Sequence, residues 1–204
     1  MYPKICLIIF NRANNFERLN EIFKIFLYLD TNAIFIYNLR GLKEWTYEIL
    51  EFKSQTSNTD WIDLEYKLER IGRGKFGISG FLHIKQDVYD DYTVGINLER
   101  SSYRTGPFMR HPMSVDNITL TEAMNTLYKD ILMDTLQNCS VNAPFFEDKF
   151  EAPLTARMVE VSKCILSTEN LPSILMAGYY KLRTGFYGKN NGYVESLTLV
   201  ETTK

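Results

Sequence analysis

Apolar and polar residues alternate one by one in three stretches of the chain. From Asp60 to Gly72, Ile62, Leu64, Tyr66 and Leu68 alternate with Asp63, Glu65, Lys67 and Glu69. Phe76, Ile78, Leu82 and Ile84 then recur at even spacing, as do Tyr92, Val94, Ile96 and Leu98. Successive side chains of a strand point to opposite faces, so this period-two pattern predicts three half-buried strands. With the Gly72-Arg73-Gly74 turn, they read as an antiparallel meander at the centre of the fold. Gly77 and Gly80 interrupt the second strand and mark a bulge or a close backbone approach.

The opening of the chain reads β-α-β. Lys4–Phe10 is a continuous apolar run, Phe16, Leu19, Ile22, Phe23, Phe26 and Leu27 follow at helical spacing, and Ala33–Leu39 is again apolar. In Leu42–Lys53, the stripe of Trp45, Ile49 and Phe52 suggests a helix. The polar run Ser54–Asp60 reads as an internal joint.

Ser101–Val115 carries no periodicity and reads as a long loop. Thr119-Leu120-Thr121-Glu122 is a capping-box sequence, predicting a helix to about Gln137 with Ala123, Met124, Leu127, Tyr128, Ile131 and Leu136 inward. Pro153 with Leu154, Met158, Val161 and Ile165 predicts another helix. Ser173–Tyr187 and Tyr193–Val200 read as strands around an Asn190-Asn191-Gly192 hairpin turn, with a fraying tail from Glu201. The sum is an α+β fold in one domain over 1–204: a mostly antiparallel sheet with a central meander and a C-terminal hairpin, and helices packed largely on one face.

Charge and composition narrow the functional classes. A net charge of −2 lacks the basic excess of a duplex-binding protein, so nucleic acid is not the expected partner. No apolar run has the length of a membrane span, and the start of the chain lacks a signal-peptide pattern; a cytoplasmic protein without a membrane partner is expected. Cys6, Cys139 and Cys164 are odd in number and widely spaced, and read as three small buried hydrophobes outside any disulfide framework.

Motifs for catalysis or cofactors are missing. No phosphate-binding glycine pattern, serine-hydrolase elbow or zinc-ligand spacing occurs, and neither cofactor nor metal is expected. Asp87, Asp90 and Asp91 do not follow the calcium-loop spacing and read as a solvated turn. His83 reads as a solvated or structurally bonded histidine, since it faces away from Leu82 and Ile84.

The chemistry left over lies in the Ser101–Val115 loop. Arg100, Arg104 and Arg110 interleave there with Tyr103 and Phe108, and His111 follows. Tyr and Arg are frequent interface anchors, so Tyr103, Arg104, Phe108 and Arg110 are the candidate binding residues. The C-terminal hairpin repeats the mixture in Tyr179, Tyr180, Lys181, Arg183, Phe186, Tyr187 and Lys189.

The leading expectation is a non-enzymatic intracellular protein-binding module. By analogy of general character, its specific form is an immunity-type protein that neutralises a bacterial toxin. One alternative is an enzyme or ligand-binding protein acting on a phosphate-containing substrate, with His111 as acid or base and Arg104 and Arg110 as anion clamps. A second is a homo-oligomeric structural subunit.

Overall fold

The computed structural model describes residues 43–203. The strands expected at Lys4–Phe10 and Ala33–Leu39, the helix between them, and Cys6 lie outside the described residues. Ten strands and one helix follow: β1 Trp45–Thr56, β2 Ile62–Gly72, β3 Lys75–Ile84, β4 Thr93–Ser101, β5 Met109–Arg110, β6 Val115–Thr119, a helix α1 over 120–139, β7 Ser140–Val141, β8 Arg157–Cys164, β9 Gly178–Tyr187 and β10 Gly192–Thr202.

These strands form two antiparallel sheets. One has the order β1-β10-β9-β4-β5, with β6 also paired to β4; the other has the order β2-β3-β8-β7. The β2–β3 hairpin forms as the alternation predicts, Leu64 opposite Leu82 and Leu68 opposite Ile78. The third strand of the expected meander does not join it. Instead β4 pairs with β9, β5 and β6 in the other sheet. Alternation specifies a strand and its buried face, but carries no information about its neighbour.

Two helices expected from apolar stripes are strands. In β1, Trp45, Tyr47 and Ile49 alternate with Thr46 and Glu48, and a bulge between Ile49 and Glu51 then shifts the phase. The bulge breaks the alternation and leaves Trp45, Ile49 and Phe52 at a spacing that imitates a helix. In β8 the buried residues are Val159, Val161 and Cys164, while Met158 and Ile165 of the expected helical stripe are 40% and 56% exposed. Paired β-branched residues against Leu82 and Gly80 decide for the strand. The tail does not fray at Glu201 either. The strand β10 runs to Thr202, and the amide of Thr203 donates to the carbonyl of Glu44.

Gly77 and Gly80 hold the close approaches expected of them. A Cβ on Gly77 would stand 2.7 Å from the backbone of Lys163, and one on Gly80 2.0 Å from the carbonyl of Glu65. Gly80 also has φ +151° and ends the register shift between β3 and β8. Only glycine fits there without moving the β2 backbone.

The helix α1 starts as predicted, with the Thr119 hydroxyl accepting from the Glu122 amide. The carboxylate of Asp90 accepts from the Thr121 amide and satisfies a second free donor of the first turn. From Met124 to Met133 the helix is π-helical, between α-helical ends. Its buried Ala123 and Leu127 pack with Val94 of the larger sheet, joined by Ile96, Ile131 and Phe186. Leu136 packs against Val159 and Val161 of the smaller sheet. The largest core cluster comprises Trp61, Ile62, Ile84, Val88, Tyr92, Leu120, Met124 and Leu154, with the Trp61 and Tyr92 rings stacked at 4.5 Å.

One reading of the cysteines is corrected. Cys139, at the end of α1, is disulfide-bonded to Cys164, at the end of β8, with their Cα atoms 5.4 Å apart. The pairing was hidden because the segment carrying Cys164 read as a helix rather than as the strand that passes α1. Among the described residues, no helix is long and apolar enough to cross a membrane.

Candidate functional site

Cross-strand partners in a sheet share a face, so the registers of the larger sheet define its surfaces. One rung runs Glu51, Leu197, Lys181, Glu99 and Arg110 across β1, β10, β9, β4 and β5. The adjoining rung runs Lys53, Glu195, Arg183 and Asn97. This is the polar face. The opposite face carries Val94, Ile96 and Phe186, which pack with α1, and Tyr180 and Val200, which pack with Trp45.

The loop after β4 folds back over the polar face. The Arg104 guanidinium reaches the Glu51 carboxylate at 3.0 Å, across 53 residues of sequence. The Lys181 ammonium lies 4.4 Å from the centre of the Phe108 ring. Together with Lys53, Thr105, Glu195 and Leu197, these residues line a groove of about 370 Å³. The two candidate residues Arg104 and Phe108 therefore meet at one site.

The groove is electrostatically organised from below. Arg183 holds Glu195 through Nε at 2.8 Å and Nη2 at 2.6 Å, and it also lies over the Tyr193 ring. Arg104's hydrogen bond, aided by the nearby Lys53, holds the Glu51 carboxyl below the usual range. Both carboxylates of the groove are thus engaged by cations of the same molecule.

The other candidates are distributed differently. Tyr103 stands at the loop tip, 70% exposed, and Met109 is 74% exposed. Arg110 is paired to Asp116, and its surroundings are solvent-exposed. His111 turns to the opposite face, where its ring meets the Tyr180 ring edge-on at 5.8 Å. Burial, and then the positive charge of Arg100, push the His111 pKa below its ordinary value. His111, Arg104 and Arg110 are consequently not brought together around one space, and both arginines already hold carboxylates.

Arg100 serves the opposite face as well. Its Nη2 donates to the carbonyl of Ala177, and its Nε is buried without a hydrogen-bond partner among the described residues. Beside it, the irregular segment before β9 is fastened by side chains: Trp45 Nε1 donates to the Pro172 carbonyl, Tyr47 Oη to Leu166, and Tyr180 Oη to Met176.

Asp87 and Asp90 are used structurally. They accept from the amides of Ala156 and Thr121 respectively. Among the described residues, no group of three or more His, Cys, Asp and Glu side chains is arranged to hold a metal ion.

Glu51, Lys53, Glu195 and Leu197 were not singled out from the sequence. Lys181 and Arg183 appear in the sequence only as part of the basic and aromatic mixture of the C-terminal hairpin. The missing information was the register against β1, since Trp45 to Lys53 read as a helix. No protein-family model matches the chain. A comparison with curated proteins likewise found no match.

Proposed function

We propose that the chain is a non-enzymatic protein-binding module that meets its partner with the loop Ser102–Arg110 and the polar sheet face beneath it. The observation carrying this reading is that Tyr103, 70% exposed, stands on a loop anchored by Arg104 and Phe108, and Met109, 74% exposed, follows it at the start of β5. Anchoring lowers the entropy lost on binding, while the exposed aromatic and thioether side chains supply contact area. The dispersed positions of His111, Arg104 and Arg110 favour this reading over a phosphate-processing site, because both guanidinium groups are occupied.

Toxin neutralisation is the specific form of the proposal. It rests on the analogy drawn from the absence of catalytic motifs, the mild acidity and the aromatic loop. The expected cytoplasmic location is set against the Cys139–Cys164 bridge, which an oxidising compartment would preserve and the cytosol would keep reduced.

Affinity capture from the native host tests the binding surface. The wild-type chain and a Tyr103→Asp/Met109→Asp variant are compared, with circular dichroism establishing that both fold alike. A partner retained by the wild type and lost by the variant supports the reading. Equal retention by both refutes the assignment of this loop.

A further inference from the structure

We infer that the groove beneath the loop receives a carboxylate side chain from an acidic segment of the protein partner. This inference rests on the protein-binding reading and specifies the chemistry of the partner.

The first argument is charge. The groove is lined by Lys53, Arg104 and Lys181 against Glu51 and Glu195, one positive charge in excess on a chain whose net charge is −2, while Glu48 stands on the same face beyond the lining. Arg110 does not change the balance, because Asp116 pairs with it. The groove is therefore locally cationic on an acidic molecule, and a focused local field attracts an oppositely charged group.

The second argument is occupancy. Glu51 accepts from Arg104 at 3.0 Å and has Lys53 at 3.6 Å, while Glu195 is clasped by Arg183 and only 15% exposed. A partner cation would find its carboxylates taken. Glu99 lies across from Lys181 but takes a hydrogen bond from Asn97, and the Lys181 ammonium sits over Phe108. Among the described residues, Lys181 makes no ion pair, so its charge is available to a visiting carboxylate.

The third argument separates a carboxylate from a nucleotide. A phosphate site gains most from a free guanidinium fork, and base binding needs an open aromatic face. Here the Arg104 fork is committed to Glu51, and Lys181 covers a face of Phe108. A carboxylate needs only the point charge of a lysine, and its methylene groups can rest on Leu197, which also lines the groove.

Titration of the full chain with an oligoglutamate peptide, followed by backbone amide NMR, tests the inference. Saturable shifts should cluster at Lys53, Thr105, Lys181 and Leu197 and weaken with salt. Lys181→Gln, with its folded spectrum retained, should raise the peptide Kd roughly five-fold, the effect of losing an exposed ion pair of about 1 kcal/mol. Absent or scattered shifts, an unchanged Kd in Lys181→Gln, or equal binding of an oligolysine peptide at the same amides would overturn it. So would tighter binding there of a short oligothymidylate. Loss of partner capture through Tyr103 and Met109, neither of which lines the groove, is read independently; the module can thus survive the failure of this inference.

Discussion

Arg104 and Glu51 form an ion pair at 3.0 Å although 53 residues separate them, and the pair ties the loop after β4 to the first strand of the same sheet. It is an exposed pair, so its value lies in position more than in stability. Arg104→Glu is expected to leave the denaturant midpoint of unfolding nearly unchanged. It should nevertheless accelerate amide hydrogen exchange across residues 102–108. The double reversal Arg104→Glu/Glu51→Arg should restore slow exchange. If the single variant leaves exchange unchanged, the pair does not hold the loop.

The disulfide closes a sequence separation of 25 residues between the end of α1 and the end of β8. The entropy removed from the unfolded chain by a loop of this size corresponds to about 3.5 kcal/mol. Cys139→Ser should lose approximately that amount in denaturant unfolding under oxidising conditions. The Cys139→Ser/Cys164→Ser double variant should lose little more, since both changes break one bond. Reaction of both thiols with iodoacetamide in the folded, unreduced protein would contradict the bridge.

Two glycines in the β2–β3 hairpin give a paired test of backbone packing. Gly80→Ala would place its Cβ 2.0 Å from the carbonyl of Glu65, at a φ of +151°. The loss is expected to be about 3 kcal/mol or more. A Cβ at Gly72 meets nothing within 4 Å, so Gly72→Ala should stay within about 0.5 kcal/mol of wild type. Equal effects in thermal unfolding would show that the strands are not paired in this register.

His111 makes stability depend on pH in a defined direction. Burial and the neighbouring Arg100 lower its pKa from the ordinary value of 6.5, so the folded state favours the neutral ring. Above the unfolded pKa this carries no penalty. As pH falls below about 6.5, the unfolded chain takes up a proton that the folded chain resists, and stability declines until the folded pKa is passed. The Tm of wild type should therefore drop more between pH 7.5 and pH 5.5 than that of His111→Asn. Parallel Tm profiles would remove His111 from the balance.

The sequence disclosed elements where a single period ran without interruption. In β2, Ile62 to Leu68 alternate over most of the strand, and Thr119 and Glu122 mark the start of α1 in plain terms. Segments with a changed phase imitate another period. The bulge after Ile49 made β1 resemble a helix, and Met158 and Ile165 lent β8 an apolar stripe although both are exposed. Both imitations reach beyond their own segments. Without β1 as a strand, Glu51 and Lys53 could not be placed opposite Leu197 and Glu195, and without β8 as a strand, Cys164 could not be placed beside Cys139. The loop residues Arg104 and Phe108 were legible as candidates because no core pattern explained them. Their common groove depends on long-range pairing, which local spacing does not encode.

The most direct test replaces Tyr103 with a photo-crosslinking phenylalanine derivative in the native host. The same replacement at Tyr89, which is 53% exposed in the connection between β3 and β4, serves as the control. If the loop after β4 is the partner surface, irradiation will give a discrete protein adduct from position 103 and none of the same mass from position 89. An adduct from position 89 alone, or indistinguishable adducts from both, would contradict the account.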